Sequence, residues 1–368
     1  MPSDNPPTRT PPLPFVQLMA LKRLGGNNST TQSGSVEEAE KEEHFQSIAP
    51  PYAPGIANAA FGGHVFAQAA YAASQTVKKG FVIHNISGFF LRLGQLDVPF
   101  IYSVRHVRDG GNFCLRAVEA RQKGRVCFSC LCSFKRPETQ QANSSHQPPF
   151  SDLRRRYGSL IRGKRPEDHP LAPGIDAPWH IQAVEAGKHH ERDFPGVEVR
   201  KVDMEQYNQT DEVKKNPHEY RQLQFYRFRG SPDIHEYEHE GGNGAGELQQ
   251  SKGRDGEYDN LFACAHLYAS DKNSLFIIPR ALGHPDDWTM LTSLSLTVIF
   301  HQHGDKLRMI DWDSGERKWF LEEFWTSRSG ENRALHETRL WTADGILLAT
   351  AVQDSLVRLK GSGGFPKL

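Results

Sequence analysis

The sequence predicts an α+β fold in which one unit, a helix followed by four antiparallel strands, occurs twice along the chain. Two segments with apolar residues at helical spacing, residues 61–77 and 263–282, each precede a series of strand-like segments. Short Gly-containing turns join those strands, and such turns connect antiparallel neighbours. The last two strands of the two series are also similar in sequence. When they are aligned, Gly124 and Gly345 fall in equivalent turns. An internal duplication explains both similarities.

The first predicted helix, FGGHVFAQAAYAASQTV, is dominated by Ala. Its small and apolar side chains recur on one face, which predicts a helix held very close to a sheet. Runs rich in β-branched and aromatic residues then predict four strands in each unit. The predicted strands are 82–93, 99–110, 112–124 and 125–137 in the first unit, and 291–302, 318–333, 334–345 and 346–359 in the second.

Polar stretches rich in Gly, Ser and charge divide the chain into five parts. They predict a disordered or loosely packed N-terminal segment, an N-terminal structured unit, a linker with loop insertions, a C-terminal structured unit and a short tail. The predicted boundaries are 1–44, 45–137, 138–257, 258–360 and 361–368.

The bulk composition excludes several classes of function. Formal net charge is zero, with 44 basic and 44 acidic residues, which argues against nucleic acid as the main partner. No apolar run approaches the ~20 residues of a membrane-spanning helix. The cluster of Cys127, Cys130 and Cys132 has no second pair of zinc ligands at suitable spacing, and no dinucleotide-binding or phosphate-loop motif follows a strand. We therefore expect no metal and no other cofactor.

Four stretches carry a family resemblance: FGGHVFAQAAYAA, FFLRLGQLDVPFIYSVRHVRDGGNF, LYASD and DGILLATAVQDSLVR. They follow one another as in the type II acyl-CoA thioesterase family, which includes bacterial thioesterase II and the peroxisomal acyl-CoA thioesterases. The chain resembles this family over residues 45–137 and 258–359. The resemblance implies a double hotdog, that is, two tandem hotdog repeats whose antiparallel sheets wrap around central helices. It also implies hydrolysis of fatty acyl-CoA to free fatty acid and CoA.

The resemblance further implies three catalytic residues, all in the C-terminal unit. The family's Asp falls on Asp271 in YASD, its Ser or Thr on Ser293 in LTSLSL, and its Gln on Gln353 in AVQD. The chain departs from the family between Ser293 and Phe300, since Ser-Leu stands at 295–296 where an Asp-His pair is usual.

These three residue types suit the activation of water. A thioester carbonyl is already electrophilic, so hydrolysis chiefly needs an oriented, partly deprotonated water. A carboxylate takes the proton, while a hydroxyl and an amide fix the water without carrying charge. Ser293 has no Gly-x-Ser-x-Gly elbow and no obvious His–Asp relay, so we interpret it as positioning water rather than as a nucleophile. No covalent intermediate is expected.

The start of the first helix is predicted to face this site from the other unit. Gly63 and His64 lie where backbone N–H groups point outward at the positive end of the helix dipole. We therefore expect Gly63 or His64 to face the thioester and stabilise the oxyanion. His64 is also a second departure from the family, which usually has Gln after the two glycines.

Other interpretations remain open. Ser270 and Asp271 belong to the residue types that favour the N-cap of a helix, although no Glu or Gln follows at capping-box spacing. SDKNSLF shares an Asp and an Asn with the signature of hotdog enoyl-CoA hydratases, but Phe276 stands where those enzymes need a His. A non-catalytic acyl-CoA-binding protein is a further alternative, because the changes at 295–296 lie near the site.

The expected partners are an acyl-CoA substrate and further copies of the chain. Large exposed sheet faces favour a homo-oligomer, either a dimer or a tetramer. The last three residues, Pro-Lys-Leu, differ from the peroxisomal Ser-Lys-Leu signal at one position. They predict peroxisomal localisation through the import receptor, with the cytoplasm as the alternative.

Overall fold

The computed structural model describes residues 12–25, 41–138, 145–233 and 251–360. The strands within them are β1 Leu21–Leu24, β2 Glu42–Ser47, β3 Val82–Phe90, β4 Ile101–Asp109, β5 Phe113–Gln122, β6 Arg125–Lys135, β7 Val197–Lys201, β8 Gln222–Phe228, β9 Trp288–Phe300, β10 Phe320–Gly330, β11 Arg333–Thr342 and β12 Leu347–Leu359. The helices are α1 Phe15–Leu18, α2 Gly62–Ser74, α3 Phe150–Ile161, α4 Pro178–Glu185, α5 Glu205–Asn208, α6 Asp211–Lys215, α7 Asp259–Ser270, α8 Ile277–Ala281 and α9 Gly304–Leu307.

The strands form one antiparallel sheet, and its two halves repeat the same order outward from the central contact between β3 and β9. The first half runs β3-β6-β5-β4-β2-β1 and the second runs β9-β12-β11-β10-β8-β7. The bulges match as well, because the ladder shifts between His106 and Arg108 in β4 and between Thr326 and Arg328 in β10. The predicted duplication of a helix followed by four antiparallel strands is therefore confirmed.

Each repeat is larger than predicted, since two strands precede each helix. The prediction of a linker with loop insertions over 138–257 is wrong here, because β7 and β8 lie within it and β8 pairs with β10. The reason is visible in QLQFYRF, where Gln222 and Gln224 are buried on the same side of the strand as Tyr226. Polar residues at buried positions hide the alternation by which a strand is recognised.

Part of the predicted loose N-terminal segment, 1–44, also belongs to the fold. The short helix α1 buries Phe15 and Leu18 completely or nearly so, and β1 pairs with β2. The ring of Phe15 lies 5.8 Å from Phe228 and 5.5 Å from Tyr268, centroid to centroid. Residues 1–11, 26–40, 139–144 and 234–250 and the tail 361–368, with its Pro-Lys-Leu end, lie outside the described residues.

The two long helices α2 and α7 pack against each other and against the sheet. Fully buried alanines line this region, among them Ala69, Ala70, Ala265 and Ala269, and their small side chains let the helix axes approach closely. The start of α2 therefore meets the end of α7, where Gly63 lies against Asp271. Among the described residues no helix is both long and apolar enough to cross a membrane.

Candidate active site

Asp271 lies at the C-terminal end of α7, directly after its last residue. Its φ of −91° and ψ of −6° place it at the C-cap, and Asn273 follows with a left-handed φ of 62°. The prediction of one helix over 263–282 is therefore wrong, and so is the alternative that Ser270 or Asp271 is the N-cap of a helix. Asn is among the few residues that adopt this left-handed conformation readily, and there the chain leaves α7 for a 3₁₀ turn and α8.

The structure brings Asp271, Ser293 and Gln353 together, although 82 residues separate the first from the last. Gln353 is the centre of the group. Its Nε2 donates to Asp271 Oδ1 at 3.0 Å and also to the hydroxyl of Ser293. These residues come from the end of α7, from β9 and from β12, which is the convergence that the sequence predicted for one site.

Ser274 is a fourth member that the sequence analysis missed. Its Oγ lies 3.3 Å from Asp271 Oδ1 and 3.2 Å from Gln353 Oε1, and it is almost completely buried. Both of those oxygens accept only, so Ser274 is the donor, and its single hydroxyl hydrogen is shared between them. Contacts on both ends of the Gln353 amide fix its orientation, with the amide nitrogen toward Asp271 and Ser293 and the oxygen toward Ser274.

Gly63 and His64 differ in their relation to the site. The backbone of Gly63 lies against Asp271, since an added Cβ would be 3.0 Å from Asp271 Cβ, and its N–H acts to lower the pKa of the Asp271 carboxyl group. The N–H of His64 donates instead to the carbonyl of Phe61 at 3.1 Å, and its ring is fully buried. Gln68, one turn later on the same face, binds the hydroxyl of Tyr102 in the sheet of its own half. Gly63 thus lies beside Asp271, whereas the prediction that His64 faces the thioester stays a prediction.

The electrostatic setting makes Asp271 a weaker acid than usual. Burial raises the pKa of Asp271 to about 6, while hydrogen bonds from Gln353, Gly63 and Ser274 act in the opposite direction. A carboxyl group with this pKa is ionised at neutral pH, yet holds a proton better than an exposed Asp does. This combination is what a general base requires, and perturbed pKa values are typical of catalytic groups.

A second buried carboxyl group, Glu322 on β10, lies near enough to interact with Asp271. Burial raises the pKa of Glu322 to about 8, and repulsion from Asp271 acts in the same direction. Its carboxyl group accepts a hydrogen bond from the amide of Gln224, which also donates to the backbone of Lys272. In the sequence, the only indication is the pair of adjacent Glu residues in FLEEFW. Neighbouring strand residues point to opposite faces, so one of the two must point inward.

The segment between the two repeats closes over the end of α7. Lys272 is buried, and its Nζ donates to the carbonyls of Pro173 at 2.6 Å and Gly174 at 2.9 Å. The ring of Phe194 stacks on Tyr268 with centroids 4.4 Å apart. Burial lowers the pKa of Lys272 to about 8. These long-range contacts hold residues 173–194 beside Asp271, and no local pattern in the sequence signals them.

Among the described residues, the first repeat has no group equivalent to Asp271, Ser293 and Gln353. Arg116 faces Cys132 across β5 and β6 in the same register in which His336 faces Gln353 across β11 and β12. Cys132 thus stands in the place of Gln353. Arg116 is almost fully buried and donates to the hydroxyl and carbonyl of Thr76, so it fills the space after α2 with a paired cation.

The departures at 295–296 fall on opposite faces of β9. Leu296 is buried and pairs with Gln353 across the ladder, whereas Ser295 pairs with Asp354. An apolar residue thus pairs with Gln353 where the family usually has a polar one. Within the described ranges, no group of three or more His, Cys, Asp or Glu side chains is placed to hold a metal ion.

Comparison with known proteins identifies the family. A model of the acyl-CoA thioesterase N-terminal domain matches residues 49–135, and a model of the corresponding C-terminal domain matches residues 192–357. Together they span well over half of the chain. The chain belongs to the type II acyl-CoA thioesterase family. The resemblance in the sequence motifs is thereby confirmed, and the chain is a thioester hydrolase of the acyl-CoA class, as predicted.

Individual relatives are distant. The chain is 25% identical to acyl-coenzyme A thioesterase 8 of Mus musculus over 306 residues, which cover 82% of this chain and 80% of that protein. It is 37% identical to acyl-CoA thioesterase 2 of Haemophilus influenzae over 78 residues, 21% of this chain and 27% of that one. The acyl-CoA thioesterase II TesB2 of Mycobacterium marinum matches in structure with a TM-score of 0.59, at 22% identity, over 95% of this chain and 100% of that chain. The α+β double hotdog is thus confirmed.

Proposed function

We propose that this thioesterase hydrolyses fatty acyl-CoA to free fatty acid and CoA with a water molecule that Asp271 activates and Ser293 and Gln353 orient. The observation that supports it is the hydrogen-bonded group of carboxylate, amide and hydroxyl centred on Gln353. The group supplies one base and two uncharged positioning groups in a buried setting, where electrostatic interactions are stronger than in water.

The proposed steps follow from the roles of these groups. Both amide hydrogens of Gln353 are donated, one to Asp271 and one to the Ser293 oxygen. The hydroxyl hydrogen of Ser293 is therefore free to donate to the water or to the thioester oxygen. Asp271 accepts a proton as the water oxygen bonds to the carbonyl carbon. The tetrahedral oxyanion then collapses, the carbon–sulfur bond breaks, and the CoA sulfur leaves and takes up a proton.

Gly63 is the proposed backbone donor to the oxyanion. Its N–H acts on the Asp271 carboxyl group and lowers the pKa of that group. As the proton passes from water to Asp271, negative charge moves from the carboxylate to the substrate oxygen. A donor at the positive end of α2, already desolvated and pointing into this space, can then stabilise the new charge with little reorganisation.

Exchange with labelled CoA tests the absence of a covalent intermediate. The protein is given a saturated acyl-CoA, which an enoyl-CoA hydratase cannot hydrate, together with isotopically labelled free CoA. We expect release of CoA, no label in the remaining acyl-CoA and no acyl adduct on the intact protein by mass spectrometry, because water attacks the thioester directly.

An acyl-enzyme would react backward with the labelled CoA, so label in the acyl-CoA or an added acyl mass would contradict direct attack by water. Binding of acyl-CoA without any release of CoA would instead contradict hydrolysis and favour a non-catalytic binding protein.

We also propose a peroxisomal location. The chain is 26% identical over 120 residues to the peroxisomal acyl-coenzyme A thioester hydrolase 1 of Saccharomyces cerevisiae, which supports this location. A fusion with a fluorescent protein at the N-terminus should co-localise with a peroxisomal marker in yeast cells. Diffuse cytoplasmic fluorescence would contradict the proposal, and a fusion ending before Pro366 would test the predicted role of Pro-Lys-Leu.

A further inference from the structure

A cleft of about 350 Å³ on the first repeat is lined by cations. It lies between the loop after β3 and the β5–β6 hairpin. We call it the basic cleft, and its lining residues are Arg92, Leu93, Gln95, Gln122, Lys123, Arg125 and Cys127. Three of these side chains are positively charged and none is negatively charged, so the cleft suits an anionic ligand.

The backbone around the basic cleft is fixed by a buried amide. Gln122 donates through Nε2 to the carbonyls of Gln95 at 2.9 Å and Val98 at 2.6 Å, and its Oε1 accepts from the N–H of Gln95 at 2.7 Å. These bonds join the loop after β3 to the hairpin. Gln122 is itself almost fully buried, so the two walls of the cleft form one preorganised unit.

The cations in the basic cleft are oriented but not neutralised. Arg92 donates from NH1 to the carbonyl of Val126 at 2.8 Å, which positions its guanidinium group on the hairpin. In the part of the chain that the structure describes, no carboxylate forms an ion pair with Arg92, Lys123 or Arg125. Like charges brought together without a counter-charge repel one another, and a bound anion relieves that repulsion.

The second repeat provides an internal comparison on the same backbone. The N–H of Leu91 donates to the carbonyl of Cys127, and the N–H of His301 donates to the carbonyl of Leu348 in the same register. Arg92 therefore corresponds to Gln302. Around the matching hairpin glycines, Lys123 and Arg125 correspond to an Asp and an Ile at 344 and 346. The three positions that hold cations in the first repeat therefore hold one acid and no cation in the second repeat.

The repeat that carries these cations is the one whose cleft lies nearer to Asp271. The ring of Phe90, two residues before Arg92, lies against Gly62, where an added Cβ would be 3.2 Å from Phe90 Cε1 and 3.0 Å from Asp271 Oδ2. A strand advances about 3.3 Å per residue, so the basic cleft begins a short distance along the sheet from Asp271.

We propose that the basic cleft binds the phosphate groups of the CoA moiety, with Arg92, Lys123 and Arg125 as specificity-determining residues. The pantetheine arm of the substrate then reaches from the cleft to the thioester at Asp271. Arg is suited to this role because its planar guanidinium binds phosphate oxygens in pairs. This inference rests on the proposed function, since it assigns the nucleotide end of the same substrate.

The test compares an acyl-CoA with the acyl-pantetheine thioester of the same chain, which lacks every phosphate. In the double variant Arg92→Gln/Arg125→Gln, KM for acyl-CoA should rise about tenfold relative to KM for acyl-pantetheine, because charge-assisted hydrogen bonds to phosphate are lost. The control is Arg162→Gln/Lys164→Gln, which removes two exposed cations beyond the C-terminal end of α3. It should keep the wild-type ratio.

An unchanged ratio in the cleft variant, or an equal rise in both KM values, would overturn the proposal. Loss of affinity for free ADP with an unchanged KM ratio would also overturn it, because the cleft would then serve a separate nucleotide. If the wild type releases no CoA from either thioester, the proposed function fails but the cleft is still tested. Calorimetry should then show CoA binding weakened about tenfold in the cleft variant only, and equal affinities would count against the cleft.

Discussion

Replacing Asp271 with Asn should lower kcat by about 10³-fold, because general bases typically contribute 10²–10⁴-fold to the rate. Asn keeps the shape of the side chain but cannot accept the proton of the water. Steady-state release of CoA, measured with a thiol reagent, gives the result. The control is Asp354→Asn, one residue after Gln353 on the partly exposed face of β12, where Asp354 pairs with Arg333. That variant should retain wild-type kcat, and equal rates for Asp271→Asn and the wild type would exclude the mechanism.

The same Asp271→Asn substitution should stabilise the fold. The folded-state pKa of Asp271 is about 6, above the ordinary 3.8, so the buried charge costs stability above about pH 6. That cost disappears as the pH falls and the native state binds the proton. The free energy of unfolding should therefore exceed that of the wild type by about 2 kcal/mol at pH 8, and the difference should shrink toward pH 5. Denaturant titration at both pH values measures the difference in unfolding free energy between the variant and the wild type. A difference that grew as the pH fell would contradict a raised pKa of Asp271.

The wild-type pH profile follows from the same value. A base must be unprotonated to act, so kcat/KM should fall as the pH drops through about 6 and level off above it. Because Glu322 carries a raised pKa and interacts with Asp271, the two groups titrate as a coupled pair. Removing the Asp271 charge relieves that repulsion, which adds to the stability of the Asn variant.

The sequence predicted the parts of this protein that repeat or that carry a family motif. The helix-and-strand units were recognisable from periodicity and from the paired glycines at 124 and 345. Asp271, Ser293 and Gln353 came from motifs at three separate points, and the structure brings them together. Their roles in catalysis remain proposals.

What the sequence did not reveal depends on contacts between distant residues. Helix α7 ends at Asp271 because Asn273 adopts a left-handed conformation. Helical periodicity in a sequence does not predict that conformation. Ser274 is an ordinary Ser until the fold places it beside Gln353, and Lys272 needs the carbonyls of residues 173 and 174 to be understood.

Gly63→Ala should lower kcat by about 10²-fold, since small misplacements at an active site have effects of this size. An added Cβ would lie 2.6 Å and 2.8 Å from the ring of Phe61 and 3.0 Å from Cβ of Asp271. The Phe61 ring cannot easily move, because it packs edge-on against Phe194 and Tyr268. The start of α2 must therefore shift away from Asp271, and the Gly63 N–H moves away from the carboxylate.

The matched control for Gly63→Ala is Gly158→Ala in α3, where nothing lies within 4 Å of an added Cβ. Ala favours an exposed helix interior over Gly by about 1 kcal/mol, so this variant should be equally active and slightly more stable. Gly63→Ala should instead be destabilised by about 1–3 kcal/mol, the usual cost of overpacking. Because the backbone N–H of Gly63 lowers the pKa of Asp271, moving it away should also shift the acidic limb of kcat/KM to higher pH. A fully active and stable Gly63→Ala protein would show that the close approach of α2 to Asp271 is not needed for turnover.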